Sequence, residues 1–281
     1  MAKRKVVVVG ASGRMAALVL PAFRERYDLT LLDIKNTDAE GNAIPDVQIC
    51  DVLDPDRNTY RPYFEGVDAV VNFGWIAGDR NDPDEYFRAE MASIQIAHNV
   101  YQTALETGAK RVVNTSSNHA ADYYEALILD GQWDGVKPGD LARSDNYYGW
   151  AKDVYEHLGF VFACGKVYGT PLENVQIRIG GPRETDVANC ESGNLRCMRR
   201  ALAVYLSQRD MVQLYVKSIE APDIRDEFGV PFQIFYGISD NPHAFWSIAN
   251  ARCVIGYEPQ DNSEIRFADL IAAHIRAATE C

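Results

Sequence analysis

The 281-residue chain predicts an α/β fold, a doubly wound parallel sheet with a smaller C-terminal lobe. Three observations carry this. Short runs rich in β-branched residues alternate with stretches of helical period through the first two thirds of the chain. Several of those runs are apolar at every position, as strands buried on both faces of a parallel sheet must be. A glycine-rich turn separates the first run from the first helical stretch.

The first strand is "KVVVV" (5–9); "LTLLD" (29–33), "VQICD" (47–51), "DAVVNF" (68–73), "RVVNTS" (111–116) and "VQIRIG" (175–180) follow. Helical spacing fills 13–27, 83–108 and 147–165, and the last two stretches end on glycine, as helices often do. Parallel neighbours require crossovers, and crossovers are right-handed, so the helices are expected to pack on the sheet's faces. Beyond residue 180 the rhythm changes. A polar stretch (180–196) precedes a helical 197–210, a strand-like "PFQIFYG" (231–237) and a terminal helix over 263–280.

An apolar fraction of 47% and a charged fraction of 24% belong to a globular chain able to bury a full core. The net charge of −12 works against nucleic acid and anionic membrane surfaces as partners, so an anionic small substrate would need local arginines. The basic start before Val6–Val9 is followed by too short an apolar run for a signal peptide, and no run approaches the ~20 residues of a membrane span. A cytoplasmic protein is expected. The six cysteines (Cys50, Cys164, Cys190, Cys197, Cys253, Cys281) show no C-x-x-C spacing, so buried free thiols are expected rather than a metal site or a disulfide framework.

The turn after the first strand is "GASGRMA", with Gly10, Gly13 and Ala16 spaced as Gly-x-x-Gly-x-x-Ala. Glycines there let backbone approach a pyrophosphate, whose charge is met by amides and the positive end of the next helix, with Ser12, Arg14 and Met15 beside it. Asp33, ending the second strand, is placed to accept from both adenosine ribose hydroxyls and would repel a 2′-phosphate. NAD is therefore favoured over NADP, with Arg14 the nearest feature pulling the other way. Asp51, followed by Val52, can reach the adenine amino group or cap its own turn. Phe73 and Gly74 end the fourth strand where backbone must pass close to a dinucleotide. A Rossmann domain over 1–180 and a small substrate-binding lobe over 181–281, not folding independently, are the expected division.

The fifth strand runs into "TSSNH" (115–119), and "SDNYYGWAK" (144–152) opens the following helical stretch. On a helix Tyr148 shares a face with Lys152 one turn later, whereas Tyr147 points about 100° away. An ammonium held beside a phenol favours the phenolate, so this pair is suited to proton transfer. Ser117 and Tyr148 would both face the cofactor from the carboxyl edge of the sheet.

With these residues assembled, the chain resembles the extended short-chain dehydrogenase/reductase superfamily over nearly its full length. The sharper resemblance is to the branch of uronate dehydrogenases and haloarchaeal NAD-dependent glucose-6-phosphate dehydrogenase, carried by "SSNHAADYY", "NYYGWAK", "RIGG" and the segment 236–267. The resemblance implies that Tyr148 is the general base for oxidation at C1 of a sugar, that Lys152 holds the nicotinamide ribose, and that Ser117 hydrogen-bonds the reacting oxygen. It implies substrate contacts from Asn118 and His119, the latter with a core role as the alternative; Ser116 reads as structural. It also implies an arginine for the substrate anion: Arg196, with Arg199 and Arg200 as competitors and Arg183 without a counterpart. Departures at Ala77, Gly181 and Ser93 leave the sugar open among hexuronates, hexose phosphates and sulfosugars. A nucleotide-sugar epimerase or dehydratase and a non-catalytic NAD sensor are the other readings. The amphipathic segments 83–107 and 148–163 match helices that pair in this superfamily, so a homodimer or larger homo-oligomer is expected.

Overall fold

The computed structural model describes residues 2–279; Cys281 and Glu280 of the expected terminal helix lie outside the described residues. Its elements run β1 (Lys5–Val9), α1 (Arg14–Arg26), β2 (Asp28–Asp33), β3 (Val47–Ile49), β4 (Ala69–Asn72), α2 (Pro83–Thr107), β5 (Arg111–Ser117), α3 (Tyr123–Leu129), α4 (Tyr147–Cys164), β6 (Glu173–Ile179), α5 (Leu195–Val204), α6 (Gln208–Glu220), β7 (Phe232–Gly237), α7 (Ala249–Ile255), α8 (Ser263–Arg266) and α9 (Ala268–Thr279). The strands form one sheet in the order β3-β2-β1-β4-β5-β6-β7, and every neighbouring pair is parallel. The order reverses between β1 and β4, which opens a crevice at their carboxyl ends, the usual place for a ligand in such sheets.

Side-chain alternation divides β1 between two cores. Val6 and Val8 join Phe23 of α1 and Leu214 and Tyr215 of α6 on one face; Val7 and Val9 join Val100 and Tyr101 of α2 and Tyr155 of α4 on the other. Two-sided burial explains why these strands read as unbroken apolar runs. Asp82 starts α2 by accepting from the amides of Asp84 and Glu85, both at 3.0 Å, with Pro83 in the first turn where its missing N–H costs nothing.

Three expectations change. The helix expected over 197–210 is two helices, because Tyr205–Ser207 runs extended: Leu206 N–H donates to the Gly181 carbonyl at 3.2 Å, and Ser207 caps α6 by accepting from the Asp210 amide at 3.2 Å. The terminal helix expected over 263–280 breaks at Phe267, whose ring packs edge-on against Tyr205 at 5.0 Å in a small apolar cluster with Met198 and Leu202. Cys190 and Cys197 are not free thiols but a disulfide; Asn194 caps α5 by accepting from the Cys197 amide at 3.0 Å, which folds residue 197 back over residue 190. Cys50 is buried, Cys164 half-buried and Cys253 exposed.

Candidate active site

The crevice begins at the β1–α1 turn. Gly10 has φ +76°, and a Cβ there would lie 2.8 Å from the Gly74 nitrogen across the crevice floor, so only glycine lets the two strand ends close together. Gly13 stands exposed at the start of α1, whose N-terminus has no side-chain cap and no acid in its first turn. Those free amides and the helix dipole fit a pyrophosphate. Asp33 Oδ2 accepts from the Ser12 amide at 2.9 Å, tying the turn to the end of β2, and lone pairs remain on both oxygens for ribose hydroxyls. Arg14 is exposed and Met15 half-buried along this rim.

Asp51 Oδ1 accepts from the Leu53 amide at 2.8 Å, so its turn-capping role is present, and the residue stays exposed beside buried Val52. Phe73 packs on Tyr215 at 5.2 Å, and the Gly74 amide is held by Asn72 Oδ1 at 3.0 Å. Gly10 and Gly74 thus meet at the switch point, with Asp33 at the end of β2 and Asp51 just after β3 further along the same edge of the sheet.

The chemical end lies where β5 meets α4. Asn146 caps α4 by accepting from the Gly149 amide at 3.0 Å. A Cβ on Gly149 would lie 2.0 Å from the His119 carbonyl oxygen, so this glycine lets the helix start press against the end of β5. Tyr148 is consequently brought beside Ser117, edge-on to His119 at 5.6 Å and to Trp75 at 5.4 Å. Lys152, only 4% exposed, donates to the Thr115 carbonyl at 3.2 Å. Its ammonium stands 5.1 Å from the Tyr148 ring centre and 4.7 Å from that of Tyr155. Tyr147 is turned outward and half-covered by Tyr86 and Phe87.

Polar side chains gather beside Tyr148. His119 Nδ1 meets Asp122 Oδ2 at 2.9 Å, which leaves Nε2 for another partner, and the ring is too exposed for a core histidine. Asn118 Nδ2 donates to Glu125 at 3.1 Å. Ser116 points away and donates to Glu156.

Charge in this pocket differs from the sequence expectation. Burial pushes the Tyr148 phenol above its usual value, a hydrogen bond with Ser117 pulls it back, and Glu90 adds to the rise. The net lowering expected for the pair is not seen, because burial outweighs the favourable charges around the phenol; the Lys152 ammonium stands over the ring. Burial drops Lys152 itself to about 8, with Glu90 and Glu156 opposing that fall. Glu90 is a residue the sequence reading missed: fully buried, it accepts from Trp75 Nε1 at 3.2 and 3.3 Å. Its only sequence signal was a carboxylate on the sheet-facing side of α2.

The arginines separate. Arg196 is exposed and paired with Asp130 at the end of α3, apart from the Tyr148 group. Arg200 is held by Glu125 at 3.0 and 3.2 Å and so reaches the pocket only through Asn118's partner. Arg183 faces Asp186 at 3.7 Å, and Arg199 lies over the Phe245 ring at 5.6 Å.

Residues 6–163, which contain the glycine turn, Ser117, Tyr148 and Lys152, match the NAD dependent epimerase/dehydratase family. The chain belongs to that family. NAD is its cofactor, and the glycine turn and uncapped α1 fit it. The chain is 30% identical to the NAD-dependent glucose-6-phosphate dehydrogenase of Haloferax volcanii over 278 residues, covering 92% of this chain and 94% of that one. It is 28% identical to the uronate dehydrogenase of Pseudomonas syringae pv. tomato over 262 residues, covering 93% and 83%. The L-arabinose 1-dehydrogenase (NAD(P)(+)) of Haloferax volcanii is 30% identical over 268 residues, covering 92% and 97%. A solved structure of a mutated uronate dehydrogenase superposes with a TM-score of 0.73 at 25% identity, covering 96% of this chain and 86% of that one.

Proposed function

We propose that this NAD-dependent dehydrogenase oxidises the cyclic hemiacetal of an acidic sugar at C1 to the aldonolactone, with Tyr148 as general base. The observation that supports it most is the Tyr148–Ser117–Lys152 group at the carboxyl end of β5, beside a crevice suited to a dinucleotide. NAD, when bound, takes the hydride from C1. Tyr148 as phenolate takes the hydroxyl proton, so the O–H and C1–H bonds break while C1=O forms. Ser117 hydrogen-bonds the reacting oxygen, and Asn118 and His119 Nε2 are disposed toward ring hydroxyls. Lys152 supplies the positive charge that opposes burial of a phenolate.

Two of the three named relatives act, by name, on sugars that carry a phosphate or a carboxylate, which supports an anionic substrate; the arabinose enzyme marks the neutral alternative. The proposal includes a cytoplasmic location and a homodimer built on α2 and α4.

The test is NADH formation from galacturonate, glucose 6-phosphate, a sulfosugar and L-arabinose, by wild type and Tyr148→Phe. Turnover of an anionic sugar that falls by about 10²- to 10⁴-fold in the variant, with NAD affinity kept, is the expected result. Undiminished turnover by Tyr148→Phe removes the assigned base.

A further inference from the structure

We propose that Arg80, in the loop between β4 and α2, binds the anionic group of the sugar substrate and sets the preference for acidic sugars. This rests on the reading of the site as a sugar 1-dehydrogenase.

Most arginines around the site are already held by acids. Arg178 is spent on Glu156, Arg200 on Glu125, Arg196 on Asp130 and Arg183 on Asp186, while Arg199, without an acid among the described residues, lies over the Phe245 ring. Lys152 is buried beneath Tyr148 and committed to the Thr115 carbonyl. Arg80 has no ion-pair partner among the described residues, although acids flank it in the chain. Asp79 is turned to the backbone and side-chain nitrogens of Asn81 at 2.9 and 3.0 Å, and Asp82 is turned to the first amides of α2. The loop thus presents a guanidinium while using its own carboxylates internally.

Position is the second step. The Arg80 guanidinium lies 5.9 Å from the Tyr86 ring centre, and the Tyr86 hydroxyl accepts from the Tyr148 amide at 3.0 Å. From the same loop Trp75 walls the Tyr148 ring at 5.4 Å. Arg80 therefore sits on the loop that walls the reacting tyrosine, against the residue that holds the Tyr148 amide. Its charge reaches the phenol, where it opposes the rise caused by burial. A sugar whose C1 hydroxyl meets Tyr148 carries its carboxylate or phosphate at the far side of the ring, and an exposed guanidinium on a loop can turn to meet it bidentately. A chain of net charge −12 repels such a substrate at long range, so a local cation without an ion-pair partner contributes to retaining it.

The test compares wild type with Arg80→Met, Arg80→Lys and Arg200→Met on galacturonate, glucose 6-phosphate and L-arabinose, with melting temperature and NADH affinity as folding controls. Arg80→Met is expected to raise KM for whichever anionic sugar the wild type uses by about 10- to 100-fold, the loss of a charged hydrogen-bonded pair, while kcat and any arabinose turnover, compared at the plateau of each enzyme's own pH profile, change far less. Arg80→Lys should recover part of it, since charge remains and the fork does not. The responding sugar shows whether the group is a carboxylate or a phosphate. An equal loss on anionic and neutral sugars, an unchanged KM, or a rise seen in Arg200→Met instead overturns the assignment while the dehydrogenase reading stands. A wild type that oxidises no anionic sugar overturns both.

Discussion

Among single residues, Glu90 is the carboxylate whose charge acts on both Tyr148 and Lys152. It has no exposed surface, and its one hydrogen-bond donor is the Trp75 indole. Burial raises its pKa, while Trp75, Lys152 and Arg80 oppose the rise. The other carboxylate near Lys152, Glu156, already has a cation in Arg178, so Glu90 is the acid whose charge falls on the catalytic pair. Glu90→Gln keeps an acceptor for Trp75 and removes the charge, and the sign follows for each partner. Glu90 holds Lys152 up, so the variant's Lys152 titrates below about 8; Glu90 also raises Tyr148, so the variant's phenol titrates lower too. The proposed mechanism needs a protonated lysine and an ionised tyrosine, and on it both limbs of the pH profile of kcat/KM should move to lower pH. A profile that stays in place would mean that Glu90 is neutral in the working enzyme. Lys152 adds a stability effect with its own sign. Between about 8 and its unfolded value of 10.5 the unfolded state binds more protons, so this group's contribution to stability rises with pH across that window.

Elements β5, α4 and β6 share a buried ionic network under the site. Arg178 of β6 donates to Glu156 of α4 at 2.8, 3.0 and 3.2 Å and to the Tyr236 hydroxyl at 2.9 Å, while Ser116 of β5 donates to the same carboxylate. Arg178→Met leaves Glu156 buried without a cation, which costs about 3–5 kcal/mol in denaturant unfolding; adding Glu156→Met should restore much of that, because a desolvated pair contributes little net stability. Equal stability for single and double variants would show that the pair is not coupled. Part of this architecture was legible from the chain. Strands buried on both faces announce themselves, and the glycine turn, Asp33, Ser117, Tyr148 and Lys152 each sit at the end of such a run or one helical turn apart. The breaks at Tyr205–Ser207 and at Phe267 were not legible, because apolar spacing continues through them and the deciding partners, Gly181, Ser239 and Tyr205, are distant in sequence. Which of Arg183, Arg196, Arg199 and Arg200 lacks an acid was not legible for a related reason: it depends on which acids fold against each. The Cys190–Cys197 pair is set by the α5 cap rather than by any recognisable spacing.

At the scale of the whole molecule, one surface is unusually apolar for so acidic a chain. Phe87 and Met91 of α2 lie exposed beside Tyr147 and Trp150 of α4, with Phe87 stacked on Trp150 at 5.8 Å and edge-on to Tyr147 at 5.4 Å. Two such helices from each of two chains can cover one another through a two-fold axis, since an isologous contact brings the same patch to itself. Each copy carries −12, so association must come from apolar burial working against charge, and salt should strengthen it. The proposed homodimer then predicts that light scattering gives twice the 31.4 kDa chain mass, with a greater dimer fraction at higher ionic strength. Phe87→Glu combined with Trp150→Glu places carboxylates in the contact and should yield monomer that keeps its fold by circular dichroism. Because Tyr147 leans on Tyr86, whose hydroxyl holds the Tyr148 amide, the monomer should also lose part of its kcat through a loosened start of α4. A variant that remains dimeric would move the interface elsewhere, and a monomeric variant with undiminished kcat would uncouple assembly from the position of Tyr148.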